Sequence, residues 1–119
     1  MSLVYKKIAS YAINAADSNE TMYTVASGER VVGQLMITNT STTNNRTVRV
    51  ATVGNGDTLG PEHYHYYDAT LTPEETITLQ GLTLGAGDAI VVRSDAISDV
   101  TPGTGIVFHL FGELDDNVI

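Results

Sequence analysis

The chain has 119 residues, 42% of them hydrophobic and 17% charged, with fourteen Asp and Glu against six Lys and Arg. That is material for one domain with one core, and it excludes disorder, collagen-like repeats and any apolar run near the roughly 18 residues of a membrane-spanning helix. A formal charge of −8 leaves no basic patch for duplex nucleic acid or an anionic membrane, and the lack of cysteine removes disulfides, thiolate zinc sites and cysteine nucleophiles.

At the start of the chain, Lys6-Lys7 ahead of residues 8–16 has the outline of a targeting signal. Ser10, Tyr11 and Asn14 interrupt the apolar stretch, so it reads as a strand instead. Strand-like runs then recur at 3–13, 21–25, 30–38, 46–53, 63–67, 75–80, 89–93 and 105–111. Turn residues separate them, among them Ser27-Gly28, residues 39–45, residues 54–60 and residues 85–88. No window keeps an apolar period of about 3.6 residues, which predicts no long helix. The expected architecture is therefore all-β. It is a single antiparallel β-sandwich, jelly-roll-like, of about eight strands, filling one domain over residues 1–119, with residues 1–19 as an N-terminal strand or arm against a neighbour.

Alternation assigns the faces. Leu35 and Ile37 share one side against Gln34, Met36 and Thr38. Val48 and Val50 oppose Thr47 and Arg49, Ile77 and Leu79 oppose Thr76, Thr78 and Gln80, and Ile90 and Val92 oppose Val91 and Arg93. Each pattern is one buried and one wet face. The last run departs from this rule. Ile106, Phe108 and Leu110 suit a core, yet Val107, His109 and Phe111 on the other side are also largely apolar. Two accounts fit: a subunit contact, or cover by residues 3–13 or a loop of the same chain. Leu84-Gly85-Ala86-Gly87-Asp88 reads as a tight hairpin turn, with glycines free to take positive φ and the Asp accepting from turn amides.

Candidate chemistry centres on His63-Tyr64-His65, because i and i+2 in a strand point the same way and two imidazoles there converge. A catalytic zinc or iron needs a third ligand. The comparison this motif invites is the cupin family of metal-binding β-barrels, and the pattern departs from it. Asp57 stands where the first cupin motif has Gly, Ala69 and Thr70 where it has Glu, and Glu113 where the second motif ends in Asn after His109. No metal or other cofactor is expected, and His63 and His65 stand only as candidate ligands for the alternative, a cupin-like enzyme. The carboxylates fall in or beside turns, at Asp17, Glu29, Asp57, Glu74, Asp88, Asp95 and Asp99, where a desolvated general acid is not expected. Glu74-Glu75 and Asp115-Asp116 read as solvated pairs. No serine sits in a nucleophile elbow. No catalytic residue is assigned, and the expectation is a protein that is not an enzyme. Six tyrosines, with Tyr64, Tyr66 and Tyr67 beside the histidines, suit half-buried contacts and carbohydrate stacking alike, the latter as in a lectin-like module. The candidate interface residues are Val107, His109, Phe111, Tyr64 and Tyr66.

The order of these pieces resembles small β-sandwich virion proteins of tailed bacteriophages. The resemblance rests on Thr21-Met22-Tyr23-Thr24-Val25 with its Gly turn, on Leu35-Met36-Ile37-Thr38-Asn39 ahead of a polar loop, and on the Val-rich run 47–53. It continues through Tyr66-Tyr67-Asp68, Leu84-x-x-Gly87-Asp88 and Phe108-x-x-Phe111-Gly112-Glu113, covering about residues 20–114. One departure is His63-x-His65 ahead of Tyr66, where an apolar residue is more usual. The resemblance implies a structural protein of the virion, a capsid decoration (cement) subunit first and a tail or fibre component second. It implies partners among copies of itself and other virion proteins, the major capsid protein foremost, and carries no catalytic residues.

Overall fold

The structure, a computed structural model, describes residues 4–96 and 105–116; the first three residues of the expected N-terminal arm, and Asp99, lie outside them. Eight strands follow in order: β1 (Val4–Ala12), β2 (Glu20–Thr24), β3 (Arg30–Asn39), β4 (Arg46–Val53), β5 (Tyr64–Leu71), β6 (Thr76–Leu84), β7 (Ala89–Ser94) and β8 (Ile106–Asp115). The helical content among the described residues is one 3-10 turn, Pro61–His63.

The strands form two four-stranded antiparallel sheets, ordered β1-β8-β3-β6 and β2-β7-β4-β5. Each strand pairs with its counterpart counted from the other end of the chain: β1 with β8, β2 with β7, β3 with β6, β4 with β5. Contacts of β3 with β8 and β4 with β7 complete the sheets. This is the strand order of a jelly roll, an antiparallel ribbon wound so that successive strands alternate between layers. Only β4 and β5 are both consecutive and paired. The 84–88 turn is accordingly not a hairpin: it carries the chain from the β3–β6 layer to the β2–β7 layer.

Between the layers lies the core read from alternation. Leu35, Ile37, Val48, Val50, Ile90, Val92, Phe108 and Leu110 are buried, with Ile77 and Leu79 packed against them at the β6 edge. Full burial of each such side chain contributes about 1.5–3 kcal/mol. Ile13, Met22, Val25, Val31, Leu71, Leu82, Leu84 and Ile106 complete the same cluster. In the β3–β8 pairing Gly33 faces Gly112. A Cβ on Gly33 collides with the carbonyl oxygen of Phe111, and one on Gly112 with that of Val32, so neither strand has room for a side chain there.

Polar side chains hold the ends of the sandwich. At one corner Glu20 accepts from the Tyr11 hydroxyl at 2.6 Å and from the amides of Asn14 and Ala15 at 3.0 and 2.9 Å, fixing the β1–β2 crossing. Burial, the largest single influence, pushes the Glu20 carboxyl up, but these donors together outweigh it and hold its pKa below the ordinary 4.5. Burial and the neighbouring carboxylate raise Tyr11 in turn. Asp88 accepts from Gly85 N at 2.8 Å and Asn55 N at 2.9 Å, tying the 84–88 turn to the β4–β5 connection. Asn39, inside a sequon, is wholly buried and donates to the carbonyls of Asn44, Leu71 and Thr72, so it offers no attachment point for a glycan. The expected solvated pair Asp115-Asp116 is also corrected. β8 runs on to Asp115, which is 4% exposed and lies 3.4 Å from Arg30.

Candidate functional site

Val107, His109 and Phe111 alternate with buried Ile106, Phe108 and Leu110, so they project from the outer side of the β1-β8-β3-β6 sheet. Val107 lies between Ala12 and Thr38, His109 between Ser10 and Met36, and Phe111 between Lys7 and Gln34. All three are half-buried by these neighbours. Ser10 Oγ lies 3.1 Å from His109 Nδ1, and the His109 and Phe111 rings are 6.2 Å apart. Further along the same face stand Val32, 45% exposed, and Tyr5, 59% exposed. They line a shallow trough of about 400 Å³ whose floor is Gly33. β1 lies beside β8 in the plane of the sheet and not across it, so the N-terminal strand is not what covers this face. Val107 and Phe111 thus place apolar surface on a central strand, on a face that β1 does not cross, with Glu113 between Tyr5 and Val32 further along; exposed apolar surface of this kind marks partner contacts.

Tyr64 and Tyr66, the other candidate contacts, belong to the opposite sheet and to two different sides of it. Tyr66 pairs with inward-facing Val50 and packs against the core. Tyr64 instead meets Tyr67 edge to face, with ring centroids 5.1 Å apart. Bulges in β5 cause the divergence. Two places in its register with β4 each insert an extra residue, and Asp68 takes a φ of 54° at one of them. Tyr67 is thereby turned outward and is 61% exposed, with the Arg49 guanidinium 4.0 Å from its ring centre. Asp68 grips that guanidinium twice, at 2.7 and 3.1 Å. The hydrogen bonds from Arg49, then the charges of Arg49 and Arg93, hold the Asp68 carboxyl below its ordinary range against a smaller opposing effect of desolvation. Ala51 shares the outward side of its partner Val91 yet is fully buried. The Pro61–His63 turn packs against β4, and Tyr64 is the partner of Ala51 in β5. Beside this turn runs a groove of about 310 Å³ lined by Asn19, Leu59, Gly60, Pro61, Tyr64 and Tyr67.

The histidines do not converge. His63 belongs to the 3-10 turn and not to a strand, which removes the i, i+2 geometry on which joint ligation rests. Its Nδ1 accepts from Gly60 N at 2.9 Å, and its Nε2 faces Asp57 at 3.9 Å. His65 bonds Thr52 Oγ1 through Nε2 at 2.8 Å, and His109 lies on the other sheet beside Ser10. Among the described residues no cluster of three or more His, Cys, Asp or Glu is arranged to hold a metal ion. Several turn carboxylates have structural partners instead: beyond Asp88, Glu75 accepts from Thr72 N at 2.8 Å and Asp95 from Thr47 N at 3.2 Å.

No protein-family model matches the chain, nor does any curated protein or solved structure.

Proposed function

We propose that this chain is a non-enzymatic structural subunit of a tailed-bacteriophage particle, a capsid decoration subunit that docks on the major capsid protein and on its own copies. The observation that carries the reading is the open outer face of the β1-β8-β3-β6 sheet. There Val107 and Phe111 on a central strand, with Val32 and Tyr5 further along, expose apolar surface. The jelly-roll strand order belongs to an architecture that capsid proteins use repeatedly, although a fold alone does not assign a role. A charge of −8 keeps unassembled copies apart while leaving a mainly apolar patch free to dock.

The test is to purify particles from infected cells and count this chain by quantitative mass spectrometry. Hundreds of copies fixed relative to the major capsid protein support decoration of the head, because a symmetric shell repeats each contact. A few copies per particle move the protein to the tail or its fibres. Absence from washed particles ends the virion reading.

A further inference from the structure

We propose that the groove beside Tyr64 and Tyr67 is a carbohydrate-binding site for a neutral mono- or disaccharide, the C–H face of one sugar ring lying on Tyr67. This goes beyond a virion role and does not depend on it. The two sheets present opposite outer faces, so a subunit docked by the β1-β8-β3-β6 side turns this groove to the solvent.

A pyranose ring is amphipathic, with axial C–H bonds gathered on one face and hydroxyls around its rim. Such a ring is recognised by an exposed aromatic plane flanked by polar groups that both donate and accept. Tyr67 supplies the plane, and among the large apolar side chains that stand well exposed it is the one on this sheet, Tyr5 and Val32 belonging to the other. Tyr64, perpendicular to it at 89°, forms a second wall. Tyr64 and Tyr67 carry phenol hydroxyls and Asn19 an amide, so the lining residues supply both donors and acceptors. None of the residues lining the groove is charged, which suits a neutral sugar better than an ion. At about 310 Å³ the groove lies at the small end of ligand sites, the size of one or two sugar rings.

The plane is also fixed before any ligand arrives. Arg49 stacks on one side of the Tyr67 ring and is itself clamped by Asp68. Binding therefore does not have to order a free side chain, a cost that weakens sites built on mobile rings. The β5 bulges that break the alternation are what place Tyr67 on this side of the sheet.

The experiment is saturation-transfer NMR on the purified chain with glucose, galactose, mannose, N-acetylglucosamine and their common disaccharides, each at about 10 mM to capture millimolar binding. A printed glycan array extends the panel. The expected result is at least one neutral saccharide that binds and shifts the Tyr67 ring signals. The Tyr67→Ala variant then weakens that binding about tenfold or more, the loss of one stacked ring. Tyr5→Ala, an equally exposed tyrosine on the other sheet, leaves it unchanged; circular dichroism verifies that both variants fold. No binder on either panel overturns the proposal, as does binding that survives Tyr67→Ala. Loss of particle attachment in Tyr67→Ala, with no saccharide bound, also overturns it and makes the tyrosine a protein contact. Copurification with particles tests the virion reading separately, so either can fail alone.

Discussion

The two outer faces of this sandwich rest on the same core and differ in what their strands carry outward. On the β1-β8-β3-β6 side the register is regular along β8, so alternation delivers Val107, His109 and Phe111 to one line on a central strand. Apolar side chains there stand among Lys7, Gln34 and Glu113, beside a shallow trough lined by Tyr5, Val32 and Gly33. On the β2-β7-β4-β5 side the edge strand β5 is bulged, the Pro61–His63 turn packs against β4, and an ion pair props up an aromatic ring. Regular pairing sets a row of side chains along a central strand, and irregular pairing turns a single aromatic ring outward at an edge strand. An edge strand broken by bulges is also a poor template for unwanted sheet pairing.

Changes at graded depth separate the faces from the core they share. Leu35→Ala removes a wholly buried side chain at the centre, and urea unfolding should show a loss of about 2–5 kcal/mol. A loss below about 1 kcal/mol would mean that position is not packed as described. Phe111→Asp, half-exposed on the docking face, should leave a folded subunit that no longer assembles. Losing that ring from a contact forfeits about 1.5–3 kcal/mol in each copy, read as missing occupancy in particle reconstitution. A variant that misfolds places Phe111 inside the molecule's own packing, and one that assembles normally removes it from the interface.

Smaller effects follow at the polar clamps. Glu20 is held below its ordinary pKa of 4.5 in the folded chain, so its contribution is full above that value and is lost as pH falls through the folded pKa. Glu20→Gln should cost about 1 kcal/mol near neutrality and flatten the stability profile in that acid window, as followed by thermal melts from pH 7 to about 3. Tyr11, raised above 10.0, acts at the other end: its share is present below 10.0 and lost as pH rises through the folded value. The smallest change is expected for Asp68→Asn. Asn tolerates the positive φ, so stability should barely move. The ring signals of Tyr67 in the parent should titrate below the ordinary Asp value of 3.8 as the Arg49 clamp opens, and that step should vanish in the variant.

How much of this was legible in the residues varies by element. Buried Leu35, Ile37, Val48, Val50, Ile90, Val92, Phe108 and Leu110 follow from a period of two, because each sits in a stretch with no inserted residue between it and its neighbour on that face. The same rule stops short where a residue is inserted. Strand β5 reads as ending at Tyr67 because Asp68 shifts the phase, and β6 reads as ending at Gln80 because Gly81, at a φ of 77°, does the same between Leu79 and Leu82. Alternation also carries no information about partners. Nothing local in Leu84–Asp88 says whether the strands it joins pair or part, and the turn chemistry there suits both. His63-x-His65 misleads for a related reason: the strand begins one residue too late to align the imidazoles. Asn39 and Asp115 are ordinary polar residues in sequence; only the ends of distant strands make them buried partners.

The nested pairing of the strands has a consequence for the order in which the molecule acquires its surfaces. The innermost pair, β4 with β5, closes one short connection, whereas the outermost brings Val4 beside Leu114, and the entropy of closing a loop rises with its length. Folding should therefore proceed from the β4–β5 hairpin outward, in the milliseconds-to-seconds range of chains dominated by non-local contacts. Pulse-labelled hydrogen exchange should protect Val48 and Val50 before Phe108 and Leu110. Strand β8 carries the proposed docking face and is the last to find its neighbours on this route. On the proposed docking role, a copy still folding would have no finished face to offer to a partner.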